Sequence, residues 1–203
     1  LSARTQETNT LLHYLGQYLA EIAGPFRLLT SYIFLTGLGT ALAAFATWWY
    51  LPKLWHLLPR DRGREFAVDA AKSIGKPVSA GILFIPIFII IALLVVPFEW
   101  KFVGIIACVF AAMVVGYLDD RAIGGWSEYR LGAIDLVISL FASVVICQME
   151  SYTIWLPLFK DAIDIEPILF IPAATILIWV SINATNCTDG VDGLSASLSG
   201  MGI

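Results

Sequence analysis

Charged residues cut the chain into apolar runs of similar length. Leu28 to Pro52 is 25 residues without a charge, Pro77 to Phe98 is 22, and Phe102 to Leu118 is 17. Leu131 to Met149 is 19 residues with one charge, Asp135, and Pro167 to Thr188 is 22 with none. A helix crosses the hydrocarbon core with about 20 apolar residues. It also pairs every backbone N–H and C=O within its own segment, which lipid cannot do for it. The pattern therefore predicts five transmembrane helices, at about 31–51, 78–98, 102–118, 131–149 and 167–184. Gly193 to Ile203 is small and apolar and reads as the start of a sixth span. None of the runs alternates apolar with polar residues as a barrel strand does.

The first 27 residues follow another rhythm. Ser2 to Thr10 is polar, and then Leu11, Leu12, Tyr14, Leu15, Tyr18, Leu19 and Ile22 recur at helical spacing. That spacing predicts an N-terminal interfacial helix over 11–24, closed by Gly24-Pro25. There is no basic stretch with an apolar core and cleavage site, so a signal peptide is not expected, and no internal repeat is visible. The expected fold class is an all-α integral membrane protein, with 1–203 forming a single polytopic domain.

Composition sharpens this. The chain is 59% hydrophobic and 14% charged, with a mean hydropathy of +0.82. Soluble domains are about half apolar and a quarter charged, and disordered chains are more polar still. A net charge of -4 without a basic patch excludes nucleic acid as a partner. Cys108, Cys147 and Cys187 have no paired spacing and read as small buried hydrophobes.

Lys and Arg mark cytoplasmic loops. The segment between the first two spans carries Lys53, Arg60, Arg62, Arg64, Lys72 and Lys76, and that between spans three and four carries Arg121 and Arg130. The loops between spans on the opposite side carry only Lys101 and Lys160, the latter beside Glu150, Asp161, Asp164 and Glu166. Eight basic residues against two place the N-terminus outside and loops 1–2, 3–4 and 5–6 in the cytoplasm. Trp48, Trp49 and Trp55 suit an interfacial aromatic belt.

Two polar constellations fall on the cytoplasmic side. Asp119 and Asp120 stand at the mouth of span three. Adjacent carboxylates repel unless a cation or a shared proton intervenes, so the pair is either a base or metal-linked acid, or a solvated loop start. Asn183, Asn186, Asp189 and Asp192 recur every three residues, which stacks them on one helix face. Such hard oxygen ligands suit Mg2+, which takes few protein oxygens and completes its shell with water and phosphate. Gly190 and Gly193 let the backbone approach a ligand closely. Lys72 and Lys76, like Arg121 and Arg130, either neutralise a diphosphate or anchor the topology. Asp135 lies about one turn into span four, where it serves a function or simply reaches water.

At these residues the chain resembles the polyprenyl-phosphate N-acetylhexosamine-1-phosphate transferases. Gly116-Tyr117-Leu118-Asp119-Asp120 matches the family's Gly-(Phe/Tyr)-x-Asp-Asp, and Asn183 to Leu194 matches N-A-x-N-x-T-D-G-x-D-G-L. Thr188 before Asp189, the interfacial helix, and Pro77 with Gly81-Ile82 resemble the branch that transfers phospho-N-acetylmuramoyl-pentapeptide. The family's T-P-T-M-G-G is here Lys76 to Gly81, and its basic residue at the start of span four is displaced to Arg130. Family members have about twice as many spans. The resemblance thus implies the N-terminal half of a larger bundle, with the main Asp ligand for the metal and a His-rich motif beyond this chain.

The resemblance implies transfer of phospho-N-acetylmuramoyl-pentapeptide from UDP-MurNAc-pentapeptide to undecaprenyl phosphate, giving lipid I and UMP, with Mg2+ as cofactor. The setting is the bacterial inner membrane, with the site facing the cytoplasm. Asp119 would deprotonate the lipid phosphate or attack covalently, and Asp120 would help hold the site. Asn186 would neighbour the metal. Asp189 and Asp192 would contact the nucleotide part, within a substrate site that also takes in Lys72, Asn183, Gly190 and Arg130. The partners are the lipid bilayer and the two substrates, with a homodimer left open. The alternatives are a GlcNAc-1-phosphate transferase of the same family and, from another class, an ion-coupled transporter using Asp135 and the Asp pair. The transporter predicts broken helices near the midplane. Acids clustered at one interface, on unbroken spans, speak against it, and a scaffold without chemistry leaves the Asn/Asp run unexplained.

Overall fold

The computed structural model describes residues 10–61, 74–148, 152–154 and 162–188. Six α-helices run through them: α1 Leu11–Ala20, α2 Tyr32–Leu54, α3 Gly81–Val95, α4 Trp100–Arg121, α5 Glu128–Cys147 and α6 Pro167–Thr188. Among the described residues four helices are long and apolar enough to cross a membrane: Tyr32–Leu57, Trp100–Arg121, Glu128–Cys147 and Pro167–Asn186. Large apolar side chains stand outward on them, as on Ile33 (88% exposed), Val137 (66%) and Leu177 (69%). Lipid accepts such a surface and water does not. The chain is an all-α membrane protein.

The expected span 78–98 is helical only over Gly81–Val95, 15 residues, or about 22 Å of rise. Both ends have a backbone cause. Pro97 pushes Val96 to an extended conformation (φ -90°, ψ 141°), and Ser79, two residues before the helix, has a φ of +60°. The segment read as a loop between spans four and five contains a short antiparallel pair, β1 Tyr152–Ile154 with β2 Ile163–Ile165. Thr153 faces Asp164 across it and donates its hydroxyl to the Asp164 Oδ1 at 2.6 Å.

The chain divides into two compact units: residues 1–106 with 113–125, and residues 107–112 with 126–203. In the first, Thr10 caps α1 by accepting the His13 N–H at 2.8 Å. A 3-10 segment, Gly24–Thr30, then folds under it. Gly16 is buried against Leu29 so closely that a Cβ would lie 2.6 Å from the Leu29 Cβ. Gly39 plays the same part between α2 and α3, with Val95 Cγ2 3.1 Å from where its Cβ would be. Small residues at such crossings let helix backbones approach in lipid, where hydrophobic collapse supplies no drive. Thr36 and Thr40 donate their hydroxyls to the Tyr32 and Thr36 carbonyls at 2.9 Å, leaving neither polar group unpaired.

In the second unit α5 and α6 pack together. Ser139, Ser143 and Thr175 are buried between apolar neighbours and satisfy each other or the backbone. Trp179 donates its indole N–H to the Gly132 carbonyl at 2.8 Å. Tyr152 stacks on Phe170 with ring centroids 4.8 Å apart and donates its hydroxyl to the Ile146 carbonyl.

Candidate active site

Asp119 and Asp120 do not begin a loop. They occupy the last turn of α4, which runs on to Arg121 because nothing breaks it earlier. The chain then turns back through Gly124 (φ +83°) and Gly125 (φ +70°). The Ala122 N–H closes the helix on the Leu118 and Asp119 carbonyls at 3.1 and 3.0 Å. The half-buried Asp119 carboxylate rests on this turn, its Oδ1 3.6 Å from where a Gly125 Cβ would stand. Glycine is needed there for its backbone, since L-residues rarely adopt that φ.

Asp120 is exposed, and its Oδ2 accepts the Ser79 hydroxyl at 2.5 Å. Ser79 is brought there by a second piece of backbone. Val78 N–H donates to the Pro59 carbonyl (2.9 Å), Asp61 N–H to the Lys76 carbonyl (2.8 Å) and Gly75 N–H to the Asp61 carbonyl (2.9 Å). These bonds tie the end of α2 to the approach of α3. Pro77, which has no N–H to give, sits opposite Arg60 in this short ladder. A cavity of about 590 Å3 lies beside it, lined by Leu57 to Asp61, Ile74, Gly75, Tyr117, Asp120 and Arg121. Two guanidinium groups, Arg60 and Arg121, and two carboxylates, Asp61 and Asp120, thus line one cavity at the end of an apolar helix, and the guanidinium groups are donors of the kind that bind phosphate.

In the second unit, Asn183 and Asn186 lie one turn apart on α6. Asn183 is half-buried and donates its side-chain N–H to the Trp179 carbonyl at 2.8 Å, while Asn186 is exposed. Arg130 stands over the Trp126 ring, 3.9 Å from its centroid, and its backbone N–H is capped by Ser127. Asp135 lies half-buried on unbroken α5, where its carbonyl accepts the Ser139 hydroxyl. Lys72, Asp189, Gly190 and Asp192 lie outside the described residues.

Among the described residues no group of three His, Cys, Asp or Glu side chains forms a metal cluster. Mg2+ needs only one or two protein carboxylates when phosphates and water complete its shell. The Asp119–Asp120 pair supplies donors of that kind. Sequence reasoning missed Ser79, which lies within the stretch that departs from the family pattern. It also missed the part played by Gly124-Gly125, whose dipeptide was a visible turn signal.

The comparisons with known proteins bear on the same residues. The model of glycosyl transferase family 4 matches residues 102–203, which include the Asp pair and the Asn183 to Leu194 run. Two Treponema pallidum proteins, one from strain Nichols and one from a second strain, are named phospho-N-acetylmuramoyl-pentapeptide-transferase. Each is 39% identical over 184 residues, which is 89% of this chain and 51% of the relative. A protein of the same name from Caldanaerobacter subterraneus subsp. tengcongensis is 27% identical over 175 residues, 82% of this chain and 55% of its own. The chain therefore spans about half the length of the curated relatives it matches. No solved structure matches it. With its Asp pair and Asn-rich run inside the matched region, the chain belongs to glycosyl transferase family 4.

Proposed function

We propose that the full-length protein is a phosphoglycosyl transferase of peptidoglycan synthesis in a bacterial cytoplasmic membrane. It moves phospho-N-acetylmuramoyl-pentapeptide from its UDP derivative to undecaprenyl phosphate. The observation that carries this is the Asp119–Asp120 pair in the last turn of an apolar helix, beside a cavity with Arg60 and Arg121. A lipid phosphate and a soluble nucleotide diphosphate can meet only at the membrane boundary. The relatives named above support the sugar.

In this reading Asp119 takes the proton of the lipid phosphate. The phosphate oxygen then attacks the sugar-bearing phosphorus, the phosphoanhydride bond breaks, and UMP leaves with the bonding pair. Arg60 and Arg121 offset phosphate charge. Asp120 holds the site, and Asn183, Asp189 and Asp192 take the nucleotide part. Mg2+ is the proposed cofactor: Asn186 would neighbour it, and its main carboxylate ligand would come from outside the described residues. When bound it supplies charge neutralisation of the diphosphate.

The test uses full-length protein in lipid nanodiscs with undecaprenyl phosphate and either UDP-MurNAc-pentapeptide or UDP-GlcNAc. Lipid-linked product and UMP are expected from the first donor only. Product from UDP-GlcNAc alone would move the protein to the other branch. Product from neither would end the transferase reading.

A further inference from the structure

Ser79 holds an unfavourable backbone. Its φ of +60° lies in the left-handed region, which glycine and asparagine occupy far more readily than serine. Outliers of this kind persist where their surroundings fix them, and they gather at functional sites. Two interactions fix Ser79. Its carbonyl accepts the Ile82 N–H at 3.1 Å, at the start of α3. Its hydroxyl reaches across 41 residues to donate to Asp120 Oδ2. Asp120 is exposed, and an exposed aspartate otherwise samples several rotamers.

We infer that Ser79 is a positioning residue whose left-handed backbone aims its hydroxyl at Asp120 and fixes the orientation of that carboxylate at the end of α4. One Asp120 oxygen is committed to Ser79, so the group presents one edge and one orientation. Ser79 touches neither substrate nor metal in this account, and it lies before the region matched by the family model. The inference rests on the transferase reading of the Asp pair.

The left-handed φ separates position from stability. Ser79→Gly removes the hydroxyl and also relieves the backbone, so a loss of turnover cannot be laid to misfolding. In full-length protein, Ser79→Gly should lower kcat about 10- to 100-fold, with KM for the UDP-sugar within about threefold and Tm no lower than the parent's. Ser79→Asn tolerates the same φ and offers an amide N–H to the carboxylate, so it should recover much of the lost turnover. The hydrogen bond is read separately from activity. Ser79→Gly should raise Tm by about 2–4 °C more in an Asp120→Ala background than in the parent. There the strain is relieved and no bond is lost.

Parent-like turnover in Ser79→Gly overturns the inference. So does a rise in KM at unchanged kcat, or equal Tm changes in the two backgrounds. A parent that forms no lipid-linked product ends the transferase reading and takes the positioning role with it. That outcome is told apart by the parent's own inactivity, and the Tm comparison still decides whether Ser79 holds Asp120.

Discussion

Thr175 on α6 shares its hydroxyl proton between the Ile171 carbonyl at 2.7 Å and the Ser143 Oγ on α5 at 3.1 Å, joining two helices with a polar contact away from both lipid and water. Ser143 is fully buried and donates its own hydroxyl to the Ser139 carbonyl at 2.7 Å. Thr175→Val keeps the volume and deletes the donor. It should cost about 0.6 kcal/mol, the average for such bonds in lipid, and no more than about 1.7 kcal/mol, the largest measured, while Thr175→Ser should cost less. Thermal unfolding in one detergent checks this, and a valine variant as stable as the parent would leave the contact without energetic weight.

Gly125 should resist substitution for a backbone reason. Its φ of +70° penalises any Cβ, by about 1–2 kcal/mol for alanine. The new methyl would also stand 3.6 Å from Asp119 Oδ1. Gly125→Ala should lower both Tm and turnover, and Gly125→Asn should be the milder change. Equal Tm for alanine and glycine would mean that the turn relaxes freely.

The two motifs should fail differently. Asp119→Asn removes the proposed base, so turnover should fall by at least about 100-fold while UDP-sugar affinity survives. Asp189→Ala deletes a proposed ground-state contact and should weaken nucleotide binding instead. Calorimetry paired with product formation separates them. If Asp119→Asn loses affinity as severely as Asp189→Ala, the Asp pair organises the nucleotide site and the base lies elsewhere.

Metal dependence is expected from the proposed role of Mg2+ in neutralising the diphosphate. EDTA should abolish turnover of the full-length protein, and Mg2+ or Mn2+ should restore it. Full turnover in chelator would remove the divalent ion from the proposal.

The basic asymmetry of the loops predicts labelling. In a background lacking Cys108, Cys147 and Cys187, cysteines placed at Gly63 and at the exposed Ile123 should be protected in intact cells. One at Ala162 should react from outside. External labelling at position 123 would invert the topology.

The long helices were legible because run length is a one-dimensional signal. Leu28 to Pro52 can do little else in lipid than form a helix. The ends of α3 were not legible, since they depend on one backbone angle at Ser79 and on Pro97 acting through Val96. The β1–β2 pair escaped notice because three-residue strands carry no period. The Asp pair was visible as a motif, but its setting was not. That setting comes from Gly125 and Ser79, and Ser79 is brought to Asp120 by the pairing of Pro59 to Asp61 with the residues before α3. Local patterns announce which residues carry charge, and tertiary contacts decide which way they point.

Were α1 to lie in the headgroup boundary, the close seat of Gly16 on Leu29 would set a depth gauge for α2. On α1, Leu11, Leu15 and Tyr18 stand 51–71% exposed, ready to enter the headgroup boundary. The Gly24–Thr30 segment links that helix to α2 with only Ser31 between. A float held at the water line and fastened rigidly to a mast fixes how far the mast reaches below. Any side chain larger than hydrogen at position 16 would loosen the fastening, and α2 would then find its vertical level from its own tryptophans alone.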